Sequence, residues 1–261
     1  MSDSLPLTFL EAHPQQPTGR TPLVILHGLF GSARNWQMFV KRFGQRQDAY
    51  GLDLRNHGGS PWNDRMDYPA MAGDLGRFLD DRGLDRAVVL GHSMGGKAAM
   101  TLALTAPERV ERLIVVDIAP VSYTHTHLPY VKAMKAADLT GRSRRSQVDE
   151  QLRDAVPDPN LRAFLLQNLE VEDGGLRWRI NLDALEAGMD NLIGFPDLGS
   201  ARYDGPALFI GGAKSDYVTP EYEGDIRRRF PAAEIRMVAD AGHWLHAEKP
   251  EAFTSLVEAV L

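Results

Sequence analysis

Ser93 stands where an apolar segment ends abruptly among glycines. Residues 86–96 read Arg-Ala-Val-Val-Leu-Gly-His-Ser-Met-Gly-Gly, and good helix-forming residues follow at 97–104. A Gly-x-Ser-x-Gly pattern between a strand and a helix is typical of a tight turn that projects the serine hydroxyl as a nucleophile. Glycine is needed on either side because a Cβ there would collide with the other arm of the turn. The pattern has only three fixed positions and also fits a packing turn or a phosphate-binding turn, so the rest of the chain must decide.

A serine hydroxyl becomes a good nucleophile only when a base removes its proton and a third group orients that base. His243 lies in the segment 241–246, Ala-Gly-His-Trp-Leu-His, directly after the last strand that the sequence predicts. It should therefore emerge at the same end of a parallel sheet as Ser93, and we predict that it is the base. Three other histidines are weaker candidates for this role: His27, His57 and His246.

Two aspartates are candidates for the acid that orients the base. Asp117 follows the buried strand at 113–116, and Asp216 lies in the loop at 211–217 after a later strand. Either carboxylate is placed to accept a hydrogen bond from the far nitrogen of His243. Each also has a structural interpretation, Asp117 as a residue of a capped turn and Asp216 as a loop residue ahead of a helix. The residues alone leave both acids open.

A carbonyl carbon attacked by serine develops an oxyanion, which needs two preorganised hydrogen-bond donors. One comes from the residue after the nucleophile and the other from the loop after an earlier strand. The backbone N–H groups of Met94 and Leu29 fit these two positions, so we predict that they form the oxyanion hole. Phe30, Trp36 and Trp244 lie beside these segments and are predicted to wall the substrate pocket.

Short apolar runs alternate with helical patterns over most of the chain. The runs lie at 22–26, 49–54, 87–90, 113–116 and 207–210. Such runs are typical of strands buried on both faces, and their alternation with helices requires right-handed crossovers. We therefore predict an α/β fold with a mostly parallel central sheet flanked by helices.

The alternation stops between residues 121 and 200. This stretch shows no convincing buried strand but has amphipathic helical patterns, for example Val148, Leu152 and Val156 at a spacing of four. We predict a helical insertion at 121–200, with residues 1–120 and 201–261 forming the core.

Composition excludes several classes of function. The chain has 261 residues, a formal net charge of -6 and no cysteine, which argues against a nucleic-acid-binding protein and excludes disulfides and thiolate chemistry. No histidine pair is accompanied by the further side chains that a metal site needs, so we expect no metal ion. No apolar run approaches the ~18 residues of a membrane span, and the first residues do not resemble a signal peptide. We expect a cytoplasmic protein whose partner is a small-molecule substrate; the sequence leaves its oligomeric state undetermined.

Five segments together resemble the α/β-hydrolase superfamily. They are 27–32, 53–60, 91–97, 116–120 and 241–244. More narrowly, they are similar to the YbfF-type bacterial esterases, and the likeness runs through essentially the whole chain in the same order. The resemblance implies a serine esterase that hydrolyses short-chain acyl esters without a cofactor, beneath a helical cap inserted after the strand that ends at Asp117.

The resemblance also bears on the acid. Ser215 occupies the position at which many relatives carry their aspartate, as it does in the YbfF-type branch, where an aspartate on the preceding strand takes the role. This favours Asp117 and implies that Ser215 supports the acid or the histidine by a hydrogen bond. Asp216 remains the alternative acid, because a shift of one residue in its loop would make it the partner of His243. Asp53 and Arg55 lie in the segment 53–60. We expect their side chains to pair with each other and to hold loops that shape the pocket.

Fold alone does not fix the bond that is broken. The same residues would serve a thioesterase or a hydrolase of carbon–carbon bonds, and a non-catalytic ligand receptor could keep the same pocket. Because the base, the tight turn and the donor loop all occur together, the sequence favours a serine carboxylesterase over these alternatives.

Overall fold

The central sheet has seven strands in the order β1-β3-β2-β4-β5-β8-β9. The computed structural model describes residues 3–172 and 174–261. Strand β1 runs antiparallel to β3, and the other pairs of the sheet are parallel. The strands are β1 Phe9–Ala12, β2 Leu23–Leu26, β3 Ala49–Leu52, β4 Ala87–His92, β5 Val110–Val116, β6 Leu169–Glu172, β7 Gly175–Trp178, β8 Ala207–Gly212 and β9 Ala233–Val238.

Helices cover both faces of this sheet. They are α1 Gln37–Phe43, α2 Tyr68–Asp81, α3 Met94–Thr105, α4 Leu128–Ala136, α5 Arg145–Leu152, α6 Pro159–Leu165, α7 Leu182–Ala187, α8 Met189–Ile193, α9 Glu223–Arg229, α10 Leu245–Glu248 and α11 Pro250–Glu258. The predicted α/β fold with a mostly parallel sheet is therefore confirmed.

Burial on both faces explains the continuous apolar runs. In β2, Val24 and Leu26 pack into one hydrophobic core, whereas Leu23 and Ile25 pack into a second core on the opposite face. Successive side chains of a strand alternate between faces, so a strand covered on both sides needs apolar residues at every position. The parallel register brings the carboxyl ends of β2, β4, β5, β8 and β9 to one edge of the sheet.

Residues 121–200 lie between β5 and β8, and we call them the cap segment. They contain helices α4 to α8, but also the antiparallel hairpin β6–β7, which the sequence analysis did not predict. Its strands have four residues each, and they bury Leu169 and Leu176 while leaving Val171 67% exposed. A short strand that alternates in this way lacks the apolar run by which the core strands were recognised.

The predicted pairing of Asp53 with Arg55 is wrong. Arg55 instead forms a buried ion pair with Asp74 of α2, with 2.7 Å between Nε and Oδ2. Asp53 accepts backbone hydrogen bonds from Ala33 and Gly59, at 2.7 and 2.9 Å. Asp53 and Arg55 lie two residues apart in one loop but bind different partners. Both side chains still hold loops at the edge of the sheet. Within the described ranges, no helix has the length and apolar character to cross a lipid bilayer.

Candidate active site

Ser93 is the residue at which β4 turns into α3. Its φ of +51° and ψ of -117° are costly for a residue with a side chain and persist only where the surroundings fix them. A Cβ on Gly91 would lie 2.2 Å from the carbonyl oxygen of Gly95. A Cβ on Gly95 would lie 2.6 Å from the carbonyl oxygen of His27. The two glycines are therefore needed because backbone segments pass each other closer than a side chain permits.

Ser93, His243 and Asp117 form a continuous chain of hydrogen bonds. His243 Nδ1 donates to Asp117 Oδ2 at 2.7 Å, because a carboxylate can only accept. That tautomer leaves Nε2 free to accept the hydroxyl hydrogen of Ser93, whose Oγ is 3.1 Å away. The three residues follow β4, β5 and β9, so the common edge of the sheet brings them together. This arrangement can remove a proton from the serine hydroxyl and stabilise the positive imidazole that results.

The Asp117 carboxylate is fully buried and is held by further donors. The backbone N–H of Gly212 donates to Oδ1 at 2.9 Å, and the Ser215 hydroxyl donates to Oδ2. These bonds offset the cost of removing a carboxylate from water and fix its orientation toward His243. Asp216 is solvent-exposed, and in the described part of the chain the carboxylate bonded to His243 is that of Asp117.

Two residues around His243 were missed by the sequence analysis. His92 Nε2 donates to the backbone oxygen of His243 at 2.9 Å. Burial lowers the pKa of His92 well below its ordinary value, so the His92 ring stays neutral. The ring of Tyr217 stacks on the His243 ring with 4.1 Å between centroids. His92 occupies a variable position of the Gly-x-Ser-x-Gly pattern and Tyr217 follows Asp216, so no residue type in a local pattern marks either of them. Each contacts His243 from a part of the chain that is distant in sequence.

The loop after β2 forms a tight turn that contains Leu29. Gly31 N donates to Gly28 O at 2.9 Å, and Phe30 has a positive φ of 63°. The Phe30 N–H donates to His57 Nε2 at 3.3 Å, consistent with burial that lowers the pKa of His57 to about 3. Asn168 of the cap segment donates to Phe30 O at 2.8 Å.

The N–H groups of Phe30 and Gly31 and the carbonyl oxygens of Gly28 and Phe30 are therefore engaged in hydrogen bonds. Among the described residues, the Leu29 N–H has no protein acceptor. Met94 is the first residue of α3, and the N–H groups of the first turn of a helix have no acceptor within the helix. Both candidate oxyanion donors are thus available to a ligand. His27 Nδ1 donates to Gly28 O at 2.8 Å and its Nε2 accepts from Leu54 N at 3.0 Å, so this histidine ties two loops together.

A cavity of about 370 Å³ opens over Ser93 beneath the cap segment. We call it the outer cavity, and Phe30, Trp36 and Trp244 all border it, as expected for pocket walls. Trp36 is 1% exposed and stacks on His246 at 4.4 Å, so it belongs to the core as much as to the cavity. The outer cavity is predominantly apolar, which suits a substrate with little charge.

Comparisons with known proteins bear on the fold and the activity of this chain. A family model described as alpha/beta hydrolase fold matches residues 21–250. The sn-1-specific diacylglycerol lipase ABHD11 of Danio rerio is 42% identical over 245 residues, which cover 91% of this chain and 77% of the relative. Esterase YbfF of Escherichia coli (strain K12) is 37% identical over 248 residues, covering 95% of both chains. A solved marine microorganism esterase superimposes with a TM-score of 0.93 at 37% identity, over 99% of this chain and 100% of that one.

The glycines of the turn provide a test of this site. Gly95→Ala should lower kcat/KM for p-nitrophenyl acetate by about 10². The added methyl group would displace the strand or the helix and so shift Ser93 Oγ relative to His243 Nε2. Gly76→Ala is the matched control, since a Cβ in that part of α2 meets nothing within 4 Å. The control should keep full activity and gain stability in thermal unfolding. Equal activity of the two variants would show that the close approach is unimportant.

Proposed function

The chain belongs to the α/β-hydrolase fold family and hydrolyses carboxylic esters, and we propose that it does so as a serine esterase through an acyl-enzyme intermediate on Ser93. The observation that carries the proposal is the unbroken hydrogen-bond chain from Ser93 Oγ through His243 to Asp117. We propose Asp117 as the acid, with Ser215 as a support for its carboxylate. The proposed substrates are short-chain acyl esters, since the cap segment encloses the site and limits the space around the nucleophile.

In the first half of the proposed reaction, His243 Nε2 takes the proton of Ser93 while Oγ attacks the ester carbonyl carbon. The carbonyl oxygen becomes an oxyanion, which accepts hydrogen bonds from the N–H groups of Leu29 and Met94. His243 then gives the proton to the alcohol oxygen, the bond between this oxygen and the carbonyl carbon breaks, and the alcohol leaves. Ser93 is left as the acyl ester.

In the second half, a water molecule replaces the alcohol. His243 takes one proton from the water, whose oxygen attacks the carbonyl carbon, and the oxyanion is held by the same two donors. The proton returns to Ser93 Oγ as the acyl bond breaks, which releases the carboxylic acid and restores the enzyme. Throughout, Asp117 keeps the histidine in one tautomer and stabilises its charged form.

Removal of the serine hydroxyl tests the proposal. Ser93→Ala should lower kcat for p-nitrophenyl acetate by about 10⁶, since the other groups of such a site act only together with the nucleophile. Ser255→Ala, on the exposed face of α11, should retain the activity of the parent protein. If Ser93→Ala kept more than a tenth of the activity with an unchanged thermal unfolding curve, the serine mechanism would have to be abandoned.

A pair of substitutions tests the identity of the acid. Asp117→Asn should lower kcat by about 10⁴, because an amide can impose the wrong tautomer on the histidine. Asp216→Asn should change kcat by no more than a few-fold, since its carboxylate is exposed and not bonded to His243. The measurement is steady-state hydrolysis of p-nitrophenyl acetate by the two variants. The reverse order of the two effects would assign the role to Asp216.

A further inference from the structure

A buried lysine follows the nucleophile by one helical turn. Lys97 is 1% exposed, and its backbone N–H donates to the carbonyl oxygen of Ser93 at 3.1 Å. Its side chain borders a space that is also bordered by Ser93 and by Leu29 and Met94, the residues of the two candidate oxyanion donors. A lysine is almost never fully buried unless a carboxylate pairs with it. The position of Lys97 is therefore a feature that ordinary packing does not explain.

The Lys97 side chain binds the cap segment. Its Nζ donates to Ile193 O at 2.9 Å and to Gly194 O. These carbonyl groups lie at the end of α8, where a helix has no donors of its own for its last carbonyl groups. The hydroxyl of Tyr68 in α2 donates to the preceding carbonyl oxygen, that of Leu192, at 2.6 Å. Two side chains of the core thus hold three consecutive carbonyl groups and attach the end of α8 to α2 and α3.

The charge of Lys97 is not balanced by an acid. In the described ranges 3–172 and 174–261, no carboxylate forms an ion pair with this side chain. Its Nζ lies instead 4.8 Å from the centroid of the Tyr123 ring and 5.7 Å from that of the Tyr68 ring, whose faces attract a cation. Burial lowers the pKa of Lys97 to about 7. Lys97 therefore changes its charge near neutral pH, unlike an exposed lysine.

The titratable groups that surround Lys97 are neutral or engaged elsewhere. Five titratable side chains border the same space, namely Tyr68, Tyr123, His125, His127 and Tyr217. Burial raises the pKa of the three tyrosines and lowers that of the two histidines, so all five rings are neutral near pH 7. Asp117 and Asp74 of α2 are each bonded to another side chain, Asp190 of α8 is exposed, and α3 has no other titratable residue.

We propose that Lys97 is a positioning residue for ester hydrolysis and acts in its ammonium form, in which it fixes the cap segment against the nucleophile helix and places a positive charge beside the oxyanion donors. In the proposed mechanism the oxyanion accepts hydrogen bonds from Leu29 and Met94, and a positive charge at the border of that space favours the developing negative charge. A weakly screening interior lets this charge act from one helical turn away. This inference rests on the proposed serine mechanism, which forms the oxyanion at these donors.

Loss of a proton from Lys97 removes both contributions. A neutral amine still donates hydrogen bonds, but they are weaker than those of an ammonium, and the positive charge is gone. With its pKa lowered to about 7, Lys97 keeps the ammonium form below this pH and loses it as the pH rises further. His243 has the opposite requirement, because it must be neutral to accept the proton of Ser93. The pH profile of kcat/KM should therefore be a bell whose alkaline limb is due to Lys97.

The substitution Lys97→Gln tests the role of the charge. Glutamine keeps an N–H donor for the carbonyl groups of α8 but carries no charge. At about pH 6, kcat/KM for p-nitrophenyl acetate should therefore be about tenfold lower than in the parent protein. At about pH 9 the parent has itself lost the charge, so the two values should agree within about twofold. The measurement is the complete pH profile of kcat/KM for both proteins, corrected for spontaneous hydrolysis.

Lys135→Gln is the matched control. Lys135 also binds within the cap segment, to Asp183 and Glu186, but it does so at the surface and far from the serine in sequence. This variant should reproduce the profile of the parent. A constant ratio between Lys97→Gln and the parent at every pH would overturn the proposal, because a side chain that only packs has the same effect at every pH. If the parent does not hydrolyse p-nitrophenyl acetate, the proposed esterase function fails, and this inference fails with it.

A direct titration of the side chain keeps the proposal testable even if Lys97→Gln does not fold. Nuclear magnetic resonance of the parent protein with ¹³C-labelled lysine should show one lysine signal that titrates near pH 7, at the same pH as the alkaline limb of the kcat/KM profile. In a folded Lys97→Gln variant this signal should be absent. The proposal is overturned if every lysine titrates near the ordinary value of about 10.4, or if the two midpoints differ by more than about one pH unit.

Discussion

The hydrogen bond from His243 Nδ1 to the buried carboxylate of Asp117 is the interaction on which the site depends. It selects the histidine tautomer that can accept the proton of Ser93, and it places a negative charge beside an imidazole that becomes positive in the proposed reaction. A carboxylate buried at 0% exposure would be costly without other donors, and the Gly212 N–H and the Ser215 hydroxyl supply them. Ser93 and Asp117 directly follow β4 and β5, so the sheet places these two residues, and the loops after β8 and β9 bring Ser215 and His243 to them.

The cap segment completes the site from the other side. Asn168 donates to the carbonyl of Phe30, next to one candidate oxyanion donor, while Lys97 binds the carbonyl groups at the end of α8. The cap segment is therefore bonded to the loop that carries the Leu29 N–H and to the helix that begins after the nucleophile.

Much of this architecture could be read from the sequence, and the failures have physical reasons. The core strands were recognisable because burial on both faces demands unbroken apolar runs such as 23–26, and the glycines around Ser93 reflect a close backbone approach that no other residue permits. The hairpin β6–β7 was missed because its strands are short and half-exposed. The stacking of Tyr217 on His243 was missed because it depends on the packing of two loops, which leaves no local pattern.

Reaction with a fluorophosphonate tests the central claim most directly, since its phosphorus atom is attacked by an activated serine and the product is not readily hydrolysed. We expect mass spectrometry of the digested protein to find one phosphonate, attached to Ser93, and Asp117→Asn to slow the labelling by orders of magnitude. Labelling of another residue, or ester hydrolysis that continues undiminished while Ser93 stays unmodified, would contradict the account.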